Sequence, residues 1–317
     1  MNEFSFLKDL RLKYSLDHAG DDCAVLPMRA ETDLLITSDM LVEDVDFRLE
    51  WTVPEFLGHK SLAVSLSDVA AMGGTPKWSL LSLAIPEKLW NSDFLGRFYE
   101  GWFALARKYD VELVGGDISR SPGGLVIDSN VGGEVTAGTA FLRSTAKPGD
   151  LIYVSGNLGG AAGGLRLVES GTRHSSQLPA DTVSLVEKQL KPLPELLVSN
   201  SLQNVKIVTA GIDLSDGLSS DLGHICDQSR VGAIIDAEFI PIDPALSAHF
   251  SPEEAWDMAL NGGEDFRLLF TVSPEASGSL EGLRVTLIGE ITPESGKILL
   301  KQRDKLILIN PEGFRHF

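Results

Sequence analysis

The sequence predicts a mixed α/β protein, with strands and helices layered together in two domains. Three observations carry that expectation. Short apolar runs of strand character alternate with helical periodicities along the whole chain, which favours α/β or α+β layers over a helical bundle. At 317 residues the chain exceeds one small core and suits two units of about 150 residues each. Midway, Ser144-Thr-Ala-Lys-Pro-Gly-Asp150 concentrates turn chemistry, so residues 1–143 are expected to form the first domain and 144–317 the second.

In chain order, Asp33-Leu-Leu-Ile-Thr-Ser-Asp39 reads as a short buried strand ending on an aspartate, and Val111-Glu-Leu-Val-Gly-Gly-Asp117 repeats the pattern. Between them Pro54 suits a helix's first turn. The segment to Met72 is helical, with Leu62, Leu66, Val69 and Ala70 on one stripe and Ser61, Ser65 and Asp68 on the other face. Leu125–Val135 reads as a further strand. The second half opens on a strand at Leu151–Val154, a glycine-rich turn over Gly156–Gly164 and a helix beyond it. Next come a strand at Val205–Val208, a turn at Ile212–Gly217 and a helix through Gln228. Strands follow at Gly232–Asp236, Phe266–Val272 and Val285–Glu290, with a helix around Glu253–Leu260.

Composition narrows the function. A net charge of −18 repels nucleic acid and anionic membrane surfaces, and no basic patch offsets it. No run of about 18 apolar residues could span a membrane, and the charged N-terminus does not read as a signal peptide, so a cytoplasmic protein is expected. Cys23 and Cys226, the only cysteines, are too few for a disulfide framework or a zinc site. Acidity also opposes direct phosphate binding, so any phosphate ligand requires cations in between.

Aspartates recur where secondary structure is expected to break: Asp21, Asp22, Asp39, Asp68, Asp117, Asp213 and Asp216. Hard cations such as Mg²⁺ take oxygen ligands, and strand ends are where such groups converge. For any single aspartate a helix cap or Asx-turn is the better reading, and only the recurrence weakens it. Asp68, near the end of a helix whose dipole disfavours an anion, is either a ligand or part of a solvated face. The cluster Gly156-Asn-Leu-Gly-Gly-Ala-Ala-Gly-Gly164 lacks the Gly-Lys-Ser/Thr ending of a P-loop, and tight strand-to-helix packing suits it better than phosphate binding. Asp44-Val-Asp46 superficially matches an aspartyl-phosphate motif, but Phe47 stands where Thr or Val belongs. No His-Glu-x-x-His pattern or triad-like cluster supports zinc or nucleophilic hydrolysis. From the residues alone the reading is a metal-dependent phosphate enzyme, with a non-catalytic nucleotide- or metal-binding protein as the alternative.

Taken in order, the segments resemble the thiamine-monophosphate kinase family along nearly the whole chain. They are Gly20-Asp-Asp-Cys-Ala-Val-Leu26, Thr37-Ser-Asp-Met-Leu-Val42, Lys60-Ser-Leu-Ala-Val-Ser-Leu-Ser-Asp-Val-Ala-Ala-Met-Gly73, Val114-Gly-Gly-Asp117, Arg143–Asp150, Ile212-Asp-Leu-Ser-Asp-Gly-Leu-Ser-Ser-Asp-Leu-Gly-His224 and Gly262-Gly-Glu-Asp265. The resemblance implies the two-domain fold of aminoimidazole ribonucleotide synthetase relatives, whose N-terminal domain dimerises through a β-barrel. It implies ATP as co-substrate, several Mg²⁺ ions and thiamine monophosphate as acceptor. It further implies Mg²⁺ ligands at Asp22, Thr37, Ser38, Asp39, Asp68, Asp117, Asp213 and Asp216, and ATP contacts at Tyr99, Gly116, Asp117, Arg143 and Ser215. Acceptor contacts would be Glu264, Phe314 and Asp46, which stands where the family pattern has a histidine.

Overall fold

The computed structural model describes residues 24–27, 31–310 and 313. Two sheets organise them. The first contains β1 (Ala24–Pro27), β2 (Thr32–Val42), β3 (Thr75–Pro86), β4 (Glu112–Ser121) and β5 (Val126–Thr136) in the order β1-β2-β5-β3-β4, antiparallel except for the parallel β3–β4 pair. The second contains β6 (Leu151–Ser155), β7 (Val208–Asp213), β8 (Gly232–Asp236), β9 (Leu268–Val272), β10 (Val285–Thr292), β11 (Ile298–Gln302) and β12 (Lys305–Ile309). Its order is β12-β11-β8-β10-β6-β9-β7, with β8–β11 its parallel pair. The helices are α1 (Pro54–Ala71), α2 (Glu87–Trp90), α3 (Phe94–Tyr109), α4 (Gly160–Glu169), α5 (Ala180–Leu190), α6 (Leu196–Val205), α7 (Leu218–Ser229) and α8 (Pro252–Asn261). Among the described residues no helix is long and apolar enough to cross a membrane.

Helix α1 sits at the centre. Pro54 opens it with a fixed φ and no unsatisfied N–H. Its apolar residues Leu62, Leu66 and Val69 share one core with Leu35 and Val131 of the first sheet and with Leu202 and Phe270 of the second half. Apolar material on both sides buries the helix nearly all round, Ser61, Ser65 and Ser67 included. The expected solvated face is therefore absent: the polar stripe points into the protein, with Asp68 half-buried at its end. Helix α3 crosses α1 so closely that backbone meets backbone. A Cβ on Gly58 would lie 1.9 Å from the Phe98 carbonyl oxygen, and one on Gly101 would lie 1.8 Å from that of Glu55.

Several expectations need correction. Strands β2 and β4 do not end on Asp39 and Asp117 but run on to Val42 and Ser121, because both strands keep partners in the ladder. Residues 205–208 are not a strand. Val205 ends α6, Lys206 turns the chain in the left-handed region at φ 54°, and β7 then extends through Asp213. Ile212 and Asp213 thus lie in a strand, and the turn begins after them. Strands β3, β11 and β12 and helices α3 and α5 are further elements that the periodicity reading left unassigned.

The glycine-rich segment is a turn only to Gly159; Gly160–Gly164 open α4, and the tight packing is against helix α5 rather than between strand and helix. A side chain on Gly164 would strike the Leu185 carbonyl of α5 at 2.1 Å. The start of α4 is also filled: the Asp265 carboxylate accepts from the amides of Gly159 (2.5 Å) and Ala161 (3.0 Å). Burial pushes the Asp265 carboxyl up to about 6, against the opposing pull of those two amides.

Two expectations follow. Gly101→Ala should lower unfolding free energy by about 1–3 kcal/mol, the usual penalty for overpacking, read from urea denaturation; an unchanged midpoint contradicts the close crossing. A carboxyl whose folded pKa is raised contributes stability that is fully present below its unfolded value of about 4 and is lost as pH climbs through the folded value. The protein should therefore lose stability between about pH 4 and 6 from this group, and Asp265→Asn should flatten that part of the profile. A profile of unchanged slope in the variant would remove Asp265 as the cause.

Candidate active site

The polar side chains of α1 each reach a residue on a neighbouring element. Strand β2 alternates its side chains, so Thr37 and Asp39 face α1 while Ser38 faces away. Thr37 Oγ1 donates to Asp68 Oδ2. Ser65 Oγ donates to Asp39 Oδ2 at 2.6 Å and lies 3.0 Å from the Ser129 hydroxyl of β5. From the second half, Asp213 at the end of β7 accepts from Ser67 Oγ at 2.7 Å and is 1% exposed. Thus Thr37, Asp39, Asp68 and Asp213 gather about the C-terminal half of one helix. They come from both sheets.

The turn after β7 carries Ser215 and Asp216, both half-buried. Its geometry is fixed from two directions. The buried Asp221 of α7 accepts from the amides of Asp216 (3.2 Å) and Gly217 (3.0 Å). The Glu264 amide donates to the Ser215 carbonyl at 2.7 Å. Gly217 has φ 122°, and a Cβ there would meet the Asn261 backbone at 2.8 Å, so the turn requires glycine.

Beside these groups lies a cleft of ≈ 610 Å³, within the range of about 300–1,000 Å³ typical of small-molecule sites. Asp39, Ser215 and Asp216 line it together with Asp44, Asp46, Glu169, Asp257 and Glu264. Trp51, Phe266, Leu165, Val64 and Met258 supply apolar wall. Two arginines face it, Arg48 and Arg166, and the Arg48 guanidinium lies 4.7 Å from the centre of the Trp51 ring. Asp46 is not a loosely exposed loop acid: it is half-buried, and its carboxylate accepts from the Val42 amide at 2.7 Å. Glu264 meets Lys60 Nζ at 2.8 Å through Oε1 and accepts from the Gln189 side-chain amide through Oε2.

The donor set about α1 consists of carboxylate and hydroxyl oxygens. That is the chemistry a hard divalent cation takes, and it lacks the thiolate or imidazole pattern of zinc. Asp216, Asp221 and His224 also lie near one another, with one potential ligand atom from each within 4.8 Å.

The remaining expected residues fall elsewhere. Ser38 Oγ donates to Asp128 on the opposite face of the sheet, at 3.1 Å. Asp117 is exposed on the edge strand β4. Cross-strand register lines up Asp39, Ser129, Leu81 and Gly116, so Gly116 lies three strand spacings from Asp39, roughly 14 Å along the sheet. Gly116 also has a packing reason to be glycine, since a Cβ would strike the Leu81 carbonyl at 1.9 Å. Tyr99 sits on α3 in edge-to-face contact with Phe98, its hydroxyl pKa raised by burial. Arg143 lies between the two sheets in sequence, and its carbonyl accepts from Ser229 Oγ at 2.7 Å. None of these five residues lines the cleft. Asp22 and Phe314 lie outside the described residues. Sequence reasoning did not single out Lys60, Trp51, Gln189, Asp221 or Asp257; a lysine in a run of Leu, Ala, Val and Ser was the one available signal.

Comparison with known proteins places the chain. Residues 20–135 match the family model "AIR synthase related protein, N-terminal domain", and residues 147–301 match the corresponding C-terminal domain. The thiamine-monophosphate kinase of Escherichia coli (strain K12) is 38% identical over 99% of this chain and 95% of its own length. That of Bacillus subtilis (strain 168) is 36% identical over 94% of this chain and 90% of its own. The solved structure "AaThiL complexed with AMPPCP and TMP" superposes with a TM-score of 0.88 at 31% identity, covering 100% of this chain and 97% of that one. Fold, near-complete coverage and identity agree: the chain has the two-domain AIR synthase related architecture and belongs to the thiamine-monophosphate kinase family.

Proposed function

We propose that the protein is an ATP-dependent cytoplasmic kinase that transfers the γ-phosphoryl group to the phosphate of thiamine monophosphate, giving thiamine diphosphate and ADP. The observation that carries this reading is the oxygen-rich cluster about α1, which reaches, through Asp39, a cleft also lined by Ser215 and Asp216, with room and apolar wall for an organic acceptor. Its family setting supports the same substrates, since a relative of the same architecture is described with AMPPCP and TMP bound. We assign residues 1–143 to nucleotide and metal binding and dimerisation, and 144–317 to the second α/β domain.

Mg²⁺, held by Thr37, Asp39, Asp68, Asp213 and Asp216, would supply the positive charge that lets two phosphate-bearing molecules meet among carboxylates; Ser38 and Asp117, which lie apart from this group in one chain, and Asp22, outside the described residues, complete the proposed ligand set. The protein's own part is to hold and align. Ser65 and Ser67 fix the carboxylates of Asp39 and Asp213, and Asp221 fixes the turn carrying Ser215 and Asp216. The acceptor phosphate oxygen is ionised near neutral pH and attacks the γ-phosphorus in line as the bond to the ADP oxygen breaks, so no enzyme nucleophile is required. Ser215 lies beside the cleft for ATP, and Asp46, Glu264 and Phe314 are the proposed acceptor contacts.

Tyr99, Gly116, Asp117 and Arg143, the rest of the proposed ATP set, do not reach the cleft within one chain. The first sheet leaves Val114, Ile118 and Leu80 exposed on β4 and β3. A second copy packed there, as in the family's dimeric barrel, would cover those side chains and bring more groups to the nucleotide. We therefore propose a homodimer.

With ATP, thiamine monophosphate and Mg²⁺, the purified protein should form thiamine diphosphate and ADP in equal amounts, and excess chelator should stop it. Asp216→Asn should keep the wild-type circular dichroism spectrum and lose at least about 100-fold in turnover, as expected when a charge-stabilising group at the transferring phosphoryl is removed. ATP binding without acceptor-dependent ADP release would instead support a non-catalytic nucleotide-binding protein.

A further inference from the structure

Behind the cleft wall lies a buried cation to which the proposed transfer assigns no role. Lys60, on α1, is 3% exposed. Its ammonium meets Glu264 Oε1 at 2.8 Å and donates to the Gln189 carbonyl at 3.2 Å. The Gln189 side-chain amide donates to Glu264 Oε2, so both oxygens of one carboxylate are held from behind by groups of α1 and α5. An ammonium buried this deeply requires such pairing. Lys60 itself borders a small adjoining cavity behind the cleft, whereas Gln189 and Glu264 line the cleft.

The backbone repeats the constraint. Glu264 adopts φ 64° and Phe266 φ 48°, left-handed conformations that are costly for bulky residues. They persist because the Glu264 amide is tied to the Ser215 carbonyl and the Phe266 amide to that of Leu214 (2.9 Å). A cation, an amide and a strained backbone thus converge on one side chain at the cleft wall. A carboxylate offers about four lone-pair positions, so those not taken by Lys60 and Gln189 remain for a ligand.

We infer that Lys60 is a positioning residue for acceptor recognition: through Gln189 and its own ion pair it fixes the Glu264 carboxylate in the orientation that receives the cationic, amine-bearing heteroaromatic part of the acceptor. This rests on the kinase reading above. Lys60 does not touch the acceptor in this arrangement, so its removal changes acceptor binding through Glu264 and leaves the transferring phosphoryl group alone.

The experiment compares Lys60→Met, Lys60→Arg, Glu264→Gln and the Lys60→Met/Glu264→Gln double variant by steady-state kinetics, and by calorimetric titration with thiamine monophosphate in the absence of ATP. Lys60→Met should raise KM and Kd for thiamine monophosphate about tenfold, the scale of one charge-assisted hydrogen bond, with KM for ATP and kcat changed less than about threefold. Lys60→Arg should recover most of the affinity. In the Glu264→Gln background Lys60→Met should add less than about twofold, because the two residues act as one unit. Should Lys60→Met fail to fold, Lys60→Gln takes its place. An unchanged acceptor affinity with a lower Tm would reduce Lys60 to a fold latch. A fall in kcat at constant KM would move it to the chemical step, and additive effects in the double variant would separate it from Glu264; each of these outcomes overturns the inference. A wild-type protein that makes no thiamine diphosphate would defeat the kinase reading instead.

Discussion

Everything at the site hangs on the all-round burial of α1. A helix on a protein surface can leave its polar stripe to water, but this one lies between the first sheet and the elements of the second half, so each polar group it carries needs a partner. The partners include the residues proposed above to hold metal and acceptor. Ser65 holds Asp39, Ser67 holds Asp213, Asp68 accepts from Thr37 and Lys60 holds Glu264. His59 meets the Pro192 carbonyl at 2.7 Å, and burial lowers its pKa to about 4, which keeps it neutral near pH 7 as a structural link to the end of α5. The hydrogen-bonding demand of one buried helix and the assembly of the site are the same fact.

That dependence accounts for what was legible in the sequence. The apolar stripe of α1, the buried core of β2 and the helix after Gly217 follow from local periodicity, and they are where the structure has them. The polar stripe was legible as a stripe, but its meaning was not, because only tertiary packing decides whether Ser65 and Ser67 face water or aspartates. The ends of β2 and β4 were misjudged for a related reason. A polar run such as Thr37-Ser-Asp39 looks like a strand end, yet a ladder partner on β5 carries the strand on. The resemblance named Asp22, Thr37, Ser38, Asp39, Asp68, Asp117, Asp213 and Asp216 as one group; the meeting of Thr37, Asp39, Asp68 and Asp213 about α1 is a property of the fold that no spacing in the sequence encodes, whereas Ser38 and Asp117 lie elsewhere on the first sheet.

The division of the expected nucleotide residues has a similar origin. Register in the first sheet puts Gly116 in line with Asp39 but three strands away. Helix α3, pressed against α1 through Gly58 and Gly101, carries Tyr99, which does not line the cleft either. A twisted sheet of a single chain cannot bring its edge strand to the cleft beside its second strand. The open apolar positions on β3 and β4 are on the part of the molecule where the nucleotide set is incomplete.

How phosphate is to be recognised in a chain of net charge −18 then reduces to an elimination. The usual uncharged solution is a glycine-rich turn leading into a helix, whose free amides and dipole receive the anion. This chain has such a turn, at the start of α4, but the amides of Gly159 and Ala161 already serve the Asp265 carboxylate. Burial pushes the Asp265 pKa upward, while the two amides hold the ionised form in place. The helix end is occupied by the protein's own anion. Of the two arginines at the cleft, one is engaged with Trp51. Lys60, the buried cation, is engaged with Glu264. What remains facing the cleft is mainly carboxylate oxygen, and carboxylates approach phosphate only with a cation between them. On the reading proposed above, the aspartates about α1 serve as a frame for metal ions, and the ions make the contact to phosphate.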